Sequence, residues 1–217
     1  ASMESVFSAK DNIVTRGQAW VSAPGDHVPR DPDEHCPTRD VFTGRLDHAR
    51  ILLERSSTFQ AVAPEIIAAI GEIGNNAFDH NIGQWRDIPG GWFGWVLDAK
   101  RWTAVVADRG QGVLATLRRI RPDLRDDTDA LRIAFHEVIS GRSPEQRGNG
   151  LKFVASVIGN GGDRRLEFSS GSAQIRLASR GDGYDESWST CDPPMMGTLA
   201  ILSICRKSWG TPFDSFL

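Results

Sequence analysis

Apolar residues recur at intervals of three and four along two stretches of the chain, which is the spacing of an amphipathic helix. The first stretch predicts a helix over 43–58, and the second predicts one from Val62 to His80. Pro64 fits the first turn of the second helix, where its missing N–H costs nothing. The apolar stripe of this helix consists of Ile66, Ile70, Ile73 and Ala77. Its polar side carries Glu65, Glu72, Asn76 and Asp79.

Apolar runs that are too short for helices predict the strands of a sheet. The runs 92–97 and 102–107 flank the four residues from Asp98 to Arg101, three of them charged, and predict a hairpin. The second run is apolar almost throughout, as in a central buried strand, and it ends at Asp108. Three more strands are predicted over 165–168, 173–178 and 197–205, the first two as a hairpin around Ser170 and Gly171.

The element order predicts an α/β two-layer sandwich in which helices cover one face of a mixed sheet. Residues 1–41 are predicted to be a loop-rich extension with a short strand within Asn12 to Ser22. A core domain is expected over 42–205, followed by a tail over 206–217. The polar segment 113–147 interrupts this domain and carries one predicted helix near Asp127–Ser140. A last core helix is predicted from Leu151 to Ile158.

Composition narrows the classes of function. With 217 residues, 40% hydrophobic content and a net charge of -3, the chain can build one sizeable core and has no general attraction for nucleic acid. No apolar run is long enough to span a bilayer, so no membrane partner is expected. Three separated cysteines favour a reducing compartment and a cytoplasmic location. His27, His35 and Cys36 lie close in sequence, but a polar loop explains them better than a metal site.

The first segment with candidate chemistry is the polar side of the second helix. Glu72 and Asn76 are one turn apart, so their side chains point into the same space. A carboxylate there can act as a general base, and an amide oxygen can ligate Mg²⁺. Taken alone, the segment is also what an ordinary polar helix face contains.

The two other segments with candidate chemistry are glycine-rich turns. Asp108-Arg-Gly110-Gln-Gly112 follows a buried strand, where the carboxylate can accept a hydrogen bond from an exocyclic amine and the glycines let backbone approach a ligand. Arg147-Gly-Asn-Gly-Leu151 opens a helix, and free N–H groups at a helix start bind phosphate. Each turn alone also fits a plain loop, but the three segments together are more specific.

In this order and context, the three segments resemble the GHKL ATPase superfamily, which includes gyrase-type ATPases, heat-shock chaperone ATPases and histidine kinases. Glu72-x-x-x-Asn76-Ala resembles its N box, and Asp108-x-Gly-x-Gly112 its first glycine box. Gly148-Asn-Gly-Leu151 resembles the second glycine box, and Met196-Gly-Thr198 the terminal Gly-Thr element. The resemblance covers about 60–205 and implies the Bergerat fold, ATP and Mg²⁺.

The resemblance implies a role for each matching residue. Asp108 would bind the adenine amine with support from the Thr198 hydroxyl, Asn76 would ligate Mg²⁺, and Glu72 would be the general base. The remaining candidates around the nucleotide are His80, Gly110, Gly112, Val113, Arg147, Gly148, Asn149, Gly150 and Leu151. The segment 113–147, called the lid segment below, would cover the nucleotide. Its Arg118, Arg119, Arg121 and Arg125 either reach phosphates or form a solvated basic face, the second being favoured.

The motifs leave the fate of the γ-phosphate open. Small size and the histidine at the end of Asn75-Asn76-Ala-x-x-His80 favour an anti-sigma-type protein kinase acting on a protein partner. Glu72 favours an ATP-hydrolysing switch. A third hypothesis is a detached histidine-kinase catalytic domain with His48 as its phosphoacceptor, although an ordinary surface role explains His48 better. A fourth is a non-catalytic module that senses ATP. The sequence is compatible with a homodimer.

Overall fold

The computed structural model describes residues 3–137 and 150–206. The helices in these ranges are α1 Met3–Ser22, α2 Arg39–Arg55, α3 Ala63–Asn81, α4 Gly112–Leu117, α5 Asp127–His136 and α6 Gly150–Gly159. The strands are β1 His35–Cys36, β2 Gly91–Leu97, β3 Arg101–Asp108, β4 Asp163–Ser179 and β5 Tyr184–Cys205. None of these helices has the length and apolar character needed to cross a membrane.

The described strands form one five-stranded sheet in the order β1-β2-β3-β5-β4. All neighbouring pairs are antiparallel, so the α/β fold is confirmed with an antiparallel sheet in place of the predicted mixed one. β3 lies between β2 and β5, and its residues from Trp102 to Asp108 are buried. The predicted central strand that ends at Asp108 is therefore present, as is the predicted turn, in which Asp98 accepts hydrogen bonds from two backbone N–H groups.

The main core lies between the sheet and helices α2, α3, α5 and α6. The predicted apolar stripe of α3 is buried, with Ile66, Ile70 and Ile73 facing this core. From the strands, alternate residues such as Ala104 and Val106 point to the same side. The amphipathic pattern of α3 therefore fixes which of its sides faces the sheet, and leaves Glu72 and Asn76 away from the core.

Helix α1 corrects one prediction, because residues from Asn12 to Ser22 form a helix and not a strand. The loop-rich part of the extension is limited to 23–38, where a short 3-10 helix and β1 are the only elements. Ile13, Trp20 and Val21 pack on Val105 and other residues from the opposite face of the sheet. The helices therefore do not all lie on one face. The β-branched residues in this stretch favoured a strand locally, whereas the buried positions repeat at helical spacing and decide the outcome.

The predicted hairpin around Ser170 and Gly171 is wrong, because β4 runs through this position as one strand of 17 residues. The register shifts there, and Gly171 has a φ of +58°, so the serine–glycine pair marks a β-bulge. The actual turn lies between Arg180 and Gly183, which exchange backbone hydrogen bonds of 2.7 and 3.0 Å. As a result β5 begins at Tyr184, far before the predicted start at 197.

The described part of the lid segment contains two helices where one was predicted. The expected helix is α5, which ends at His136 because Glu137 has extended backbone. The remaining residues of its predicted range, 138–140 with Val138, lie outside the described residues. The additional helix α4 begins at Gly112 and packs on α5 through a small apolar cluster that includes Leu114 and Ile133. The lid segment therefore has a core of its own next to the Asp108 turn.

Candidate functional site

Asp108 lies at the carboxyl end of β3, where its backbone pairs with Gly91 of β2 and with Thr198 of β5. It is 3% exposed. Its Oδ1 accepts hydrogen bonds from Nδ2 of Asn81 at 3.1 Å and from the backbone N of Gly110 at 2.8 Å. Its Oδ2 accepts one from the hydroxyl of Thr198. A carboxylate has about four lone-pair sites, so Oδ2 retains capacity for one more donor.

Burial raises the pKa of the Asp108 carboxyl above its ordinary value of 3.8, although hydrogen bonds from Thr198, Gly110 and Asn81 act in the opposite direction. The unfolded chain keeps the ordinary pKa. The ionised carboxylate therefore destabilises the folded state at every pH above the raised pKa, and this penalty disappears as the pH falls through it. A buried carboxylate kept at such a cost indicates a function that needs its charge.

We predict a pH dependence of nucleotide binding that originates in this carboxyl group. As the pH falls through the raised pKa, protonation removes the acceptor that an exocyclic amine needs, so the affinity for ATP should fall. Titrations from neutral pH downward, toward the ordinary carboxyl pKa of 3.8, measure this effect. In an Asp108→Asn variant, the affinity for ATP should be low at every pH and should not fall further with acidification. Identical pH profiles in variant and parent would show that the Asp108 carboxyl is not the titrating group.

The glycines after Asp108 are required by close contacts and by backbone geometry. A Cβ at Gly110 would lie 2.0 Å from Oδ1 of Asn81. Gly112 has a φ of +79°, and a Cβ there would lie 3.0 Å from Oγ of Ser170. The same hydroxyl accepts a hydrogen bond of 2.9 Å from the backbone N of Val113. The turn therefore places backbone without side chains beside the Asp108 carboxylate, and α4 begins at Gly112 of this turn.

The Gly-Thr pair of β5 packs directly against the backbone of Asp108. Gly197 has a φ of +94°, and a Cβ there would lie 2.0 Å from the carbonyl oxygen of Asp108. Its own carbonyl accepts a hydrogen bond of 3.2 Å from Ser170. Thr198 then directs its hydroxyl to the Asp108 carboxylate. The structure thus brings together the first glycine box and the Gly-Thr element, which are some 90 residues apart in sequence.

The N box meets the second glycine turn at the start of α6. Glu72 is exposed and Asn76 half-buried on α3. A Cβ at Gly150 would lie 2.7 Å from Oε2 of Glu72 and 3.7 Å from Nδ2 of Asn76. Leu151 is buried in the core and fixes the start of α6. The first described residue of α6 therefore lies beside a carboxylate and an amide of α3.

The end of α3 is tied to the Asp108 turn through Gln111. The Nε2 of Gln111 donates a hydrogen bond of 2.6 Å to the carbonyl of His80, and its backbone N donates one of 3.1 Å to Oδ1 of Asn81. The side chain of His80 is exposed at this junction. These contacts join the N box to the first glycine box.

Sequence analysis missed Asn81, which is 4% exposed and occupies the centre of this junction. Besides its contact with Asp108, its Nδ2 donates to the carbonyl of Ala77 at 2.9 Å. The predicted helix ended at His80 and so left Asn81 out. The available signal was a third asparagine, after Asn75 and Asn76, in a helix, which asparagine disfavours.

Some candidate residues cannot be located relative to this site. Arg147, Gly148 and Asn149 lie outside the described residues, so the second glycine turn is seen only from Gly150 onward. The four lid arginines have partners close by. Arg118 donates to backbone carbonyls, whereas Arg121 and Arg125 pair with carboxylates of the lid segment. Arg119 donates to Oε1 of Gln111 at 2.9 Å.

Within the described ranges, no cluster of three or more histidine, cysteine, aspartate or glutamate side chains could hold a metal ion. Cys36 is buried in β1, and this burial raises the pKa of its thiol. Nε2 of His35 lies 2.9 Å from the carbonyl oxygen of Pro89. These contacts give His35 and Cys36 structural roles, in a short strand where a polar loop was predicted.

No protein-family model matches the chain, and no curated protein matches it. Among the solved structures that match the chain are three of low sequence identity. The B subunit of the DNA gyrase from Myxococcus xanthus covers 76% of the chain at 10% identity and a TM-score of 0.39. The 43K ATPase domain of Thermus thermophilus gyrase B, solved in complex with an aminocoumarin, covers 74% at 14% identity and a TM-score of 0.35. The mycobacterial sensor histidine kinase MprB covers 79% at 18% identity and a TM-score of 0.33.

The chain matches 44% and 38% of the two gyrase chains, so it spans less than half of their length, and 97% of the histidine-kinase chain. These proteins belong to the classes that the sequence motifs resemble. Because all three TM-scores lie below 0.5, the functional assignment rests on the geometry of the site itself.

Proposed function

We propose that this protein binds ATP with Mg²⁺ in the manner of the GHKL superfamily and acts on, or through, a protein partner as an ATPase or a protein kinase. The observation that carries the proposal is the buried carboxylate of Asp108. Three donors hold it in place, its burial opposes ionisation, and the turn beside it is reduced to backbone at Gly110 and Gly112.

In this proposal the adenine end of the site consists of Asp108, Thr198 and the turn after β3. Oδ2 of Asp108 accepts a hydrogen bond from the exocyclic amine, and the hydroxyl of Thr198 fixes the direction of that oxygen. The backbone of Gly110, Gly112 and Val113 forms one wall of the adenine pocket. The recognition is charge-assisted, which makes it about twice as strong as a hydrogen bond between neutral groups.

The phosphate end consists of the start of α6 and the polar side of α3. Gly150 supplies backbone next to Glu72 and Asn76, and Arg147, Gly148 and Asn149 extend the same turn in the sequence. Mg²⁺ prefers oxygen ligands and usually takes only one or two from the protein, with phosphates and water completing its shell. The amide oxygen of Asn76 fits this requirement, and the metal would neutralise charge on the phosphates.

Glu72 is the proposed general base. Its carboxylate is exposed and lies beside the position of Gly150, which is where a nucleophile approaching a bound phosphate would have to be oriented. The base would accept a proton from water in an ATPase, or from a hydroxyl group of a protein partner in a kinase. The same carboxylate would serve both reactions. Whether water or a protein hydroxyl group enters the site would therefore decide which of them receives the γ-phosphate.

The proposal is tested by calorimetric titration of the full chain with Mg·ATP and with Mg·GTP. Guanine presents a carbonyl where adenine presents its amine, and a carbonyl facing the buried carboxylate is repelled. We expect ATP to bind more tightly than GTP by about tenfold or more, because an unpaired buried polar group costs about 1–3 kcal/mol and about 1.4 kcal/mol corresponds to a tenfold change in affinity. Absence of ATP binding at millimolar concentration, or equal affinities, would contradict the proposal.

We predict that Glu72→Gln lowers phosphate release from ATP about 100- to 10,000-fold, the range of a general-base contribution. The affinity for Mg·ATP should change little, because the variant keeps the size of the side chain and removes only its basicity. The measurement is release of labelled phosphate under single-turnover conditions, with Glu54→Gln on the exposed side of α2 as the matched control. Release at the parental rate would show that another group, or none, acts as the base.

The kinase reaction is distinguished from hydrolysis by following the label. Incubation with γ-labelled ATP and a candidate partner protein should move label to the partner if the protein is a kinase. Label on His48 of the chain itself would instead favour a detached histidine-kinase domain. Binding without any transfer or release would favour an ATP-sensing module.

A further inference from the structure

Arg109 lies between Asp108 and Gly110 in the turn after β3, which is called the adenine turn below. Its side chain points away to the other face of the sheet and is fully buried. It donates to both carboxylate oxygens of Asp87, from Nε at 2.8 Å and from Nη2 at 2.6 Å. It also donates to the backbone carbonyls of Trp20 (2.7 Å), Val21 (3.0 Å) and Ala23 (2.8 Å). A guanidinium has five N–H donors, so every one of them is used.

Two of the three carbonyls, those of Trp20 and Val21, belong to the last turn of α1, where a helix leaves its carbonyl groups without partners inside the helix. Ala23 follows directly after the helix. A cation at this position is favoured by the helix dipole. The ring of Trp20 adds a contact, with its centre 5.8 Å from the guanidinium carbon. The guanidinium in turn lowers the pKa of Asp87 below its ordinary value. The contacts with α1, Ala23 and Asp87 thus replace the hydration that the guanidinium of Arg109 loses on burial.

Helix α1 also packs on the strand that carries Asp108. Gly17 faces Val105 so closely that a Cβ at residue 17 would lie 2.6 Å from Cγ1 of the valine. Trp20 and Val21 belong to the apolar cluster of this face, together with Ala107, the residue directly before Asp108. The adenine turn is therefore held from behind by α1 through both packing and charge.

We infer that Arg109 is a positioning residue through which the docking of α1 controls the affinity of the nucleotide site. This inference rests on the proposed function. When α1 leaves the sheet, the guanidinium loses three of its acceptors and must turn toward water, and the backbone from Asp108 to Gly110 has to follow it. Thermodynamic reciprocity then requires nucleotide binding to tighten the docking of α1. Any partner that binds α1 in place of the sheet would lower ATP affinity.

The inference is tested by hydrogen exchange of the full chain, followed by mass spectrometry over residues 13–22, with and without Mg·ATP. We expect saturating Mg·ATP to slow amide exchange in this segment about fivefold or more, a shift in the usual range of coupling between sites. A purely structural α1 would show only the global stabilisation that a bound ligand gives to all core amides. The slowing over 13–22 must therefore exceed the slowing over α2, which contributes no residue to the proposed site.

The matched pair of variants is Gly17→Ala and Gly44→Ala. Both exchange a helical glycine for alanine, which favours the helix itself. Only residue 17 meets a neighbour, since a Cβ at Gly44 has nothing within 4 Å. Gly17→Ala should speed exchange over 13–22 and weaken ATP binding about 5- to 150-fold, whereas Gly44→Ala should leave both at the parental level. Arg109→Lys, which keeps the charge but offers three donors for five contacts, should act like Gly17→Ala.

The outcomes separate this inference from the proposed function. If the parent binds ATP but exchange over 13–22 does not respond to it, the inference is overturned and the nucleotide site stands. The same conclusion follows if Gly17→Ala binds ATP as tightly as Gly44→Ala does. If the parent binds no ATP at all, the proposed function fails, and the inference fails with it. Should Arg109→Lys not fold, the two glycine variants and the parental response carry the test.

Discussion

Replacing Asp108 with asparagine is expected to weaken Mg·ATP binding about 10- to 100-fold, since a hydrogen bond to a charged group contributes about 1.5–3 kcal/mol. The amide oxygen can take over the position of Oδ1 and accept from Asn81 and Gly110. The amide N–H₂ then stands in place of Oδ2, next to Thr198, whose hydroxyl can rotate from donor to acceptor. A donor thus faces the adenine amine, and the hydrogen bond to the nucleotide is lost.

The same variant should be at least as stable as the parent at neutral pH. It retains the hydrogen bonds of the site and removes a charge whose burial raises the pKa of Asp108 and destabilises the fold when ionised. Thermal unfolding without nucleotide measures this stability, and unfolding with Mg·ATP measures binding by mass action. A stable variant with a lost nucleotide-induced shift would therefore report on the site and not on folding.

The matched control for this experiment is Asp98→Asn, at the turn before β3. Asp98 also accepts hydrogen bonds from backbone N–H groups, those of Lys100 and Arg101, but it lies at the opposite end of the strand. Its nucleotide-induced shift should equal that of the parent. If Asp108→Asn retains the full shift, the carboxylate does not bind the nucleotide.

Replacing Gly197 with alanine is expected to have the largest effect on stability. An L-residue at a φ of +94° is strained, which costs about 1–3 kcal/mol. The added Cβ would also lie 2.0 Å from the carbonyl oxygen of Asp108, and this contact is with backbone, which cannot rotate away. β5 and β3 would have to separate at the site itself, so we expect both a lower unfolding temperature and loss of ATP binding.

Gly83→Ala is the control that separates strain from contact. Gly83 has a φ of +73°, but a Cβ there meets nothing within 4 Å. The Gly83→Ala variant should lose only the stability that backbone strain costs, about 1–3 kcal/mol, and should still bind ATP. Chemical denaturation of Gly197→Ala and Gly83→Ala measures the difference in their free energies of unfolding. Equal losses of stability would mean that β5 does not pack tightly against the backbone of Asp108.

The sequence predicted the parts of the fold that depend on local pattern. The stripe Ile66, Ile70, Ile73 places α3 correctly because a single periodicity runs through it without interruption. The apolar run that ends at Asp108 predicts β3 for the same reason. Two of the three motif segments lie at an end of such an element, Asp108 at the end of β3 and Gly150 at the start of α6, whereas Glu72 and Asn76 lie within α3.

What the sequence could not predict depends on contacts between distant segments. Ser170 and Gly171 have the composition of a turn, and only pairing with β5 makes them a bulge. Residues 12–22 have local strand character, and only packing of Ile13, Trp20 and Val21 on the sheet selects the helix. Arg109 occupies an unspecified position within a glycine box, and its contact with α1 spans 86–89 residues.

The recognition of adenine by Asp108 can be observed directly. A crystal structure of the full chain with Mg²⁺ and a non-hydrolysable ATP analogue tests it most directly. We predict that the exocyclic amine lies within about 3.2 Å of Oδ2 of Asp108, with the phosphates at the start of α6 and Mg²⁺ on the side-chain oxygen of Asn76. An analogue bound elsewhere, or one whose adenine amine makes no hydrogen bond to Asp108, would contradict the account.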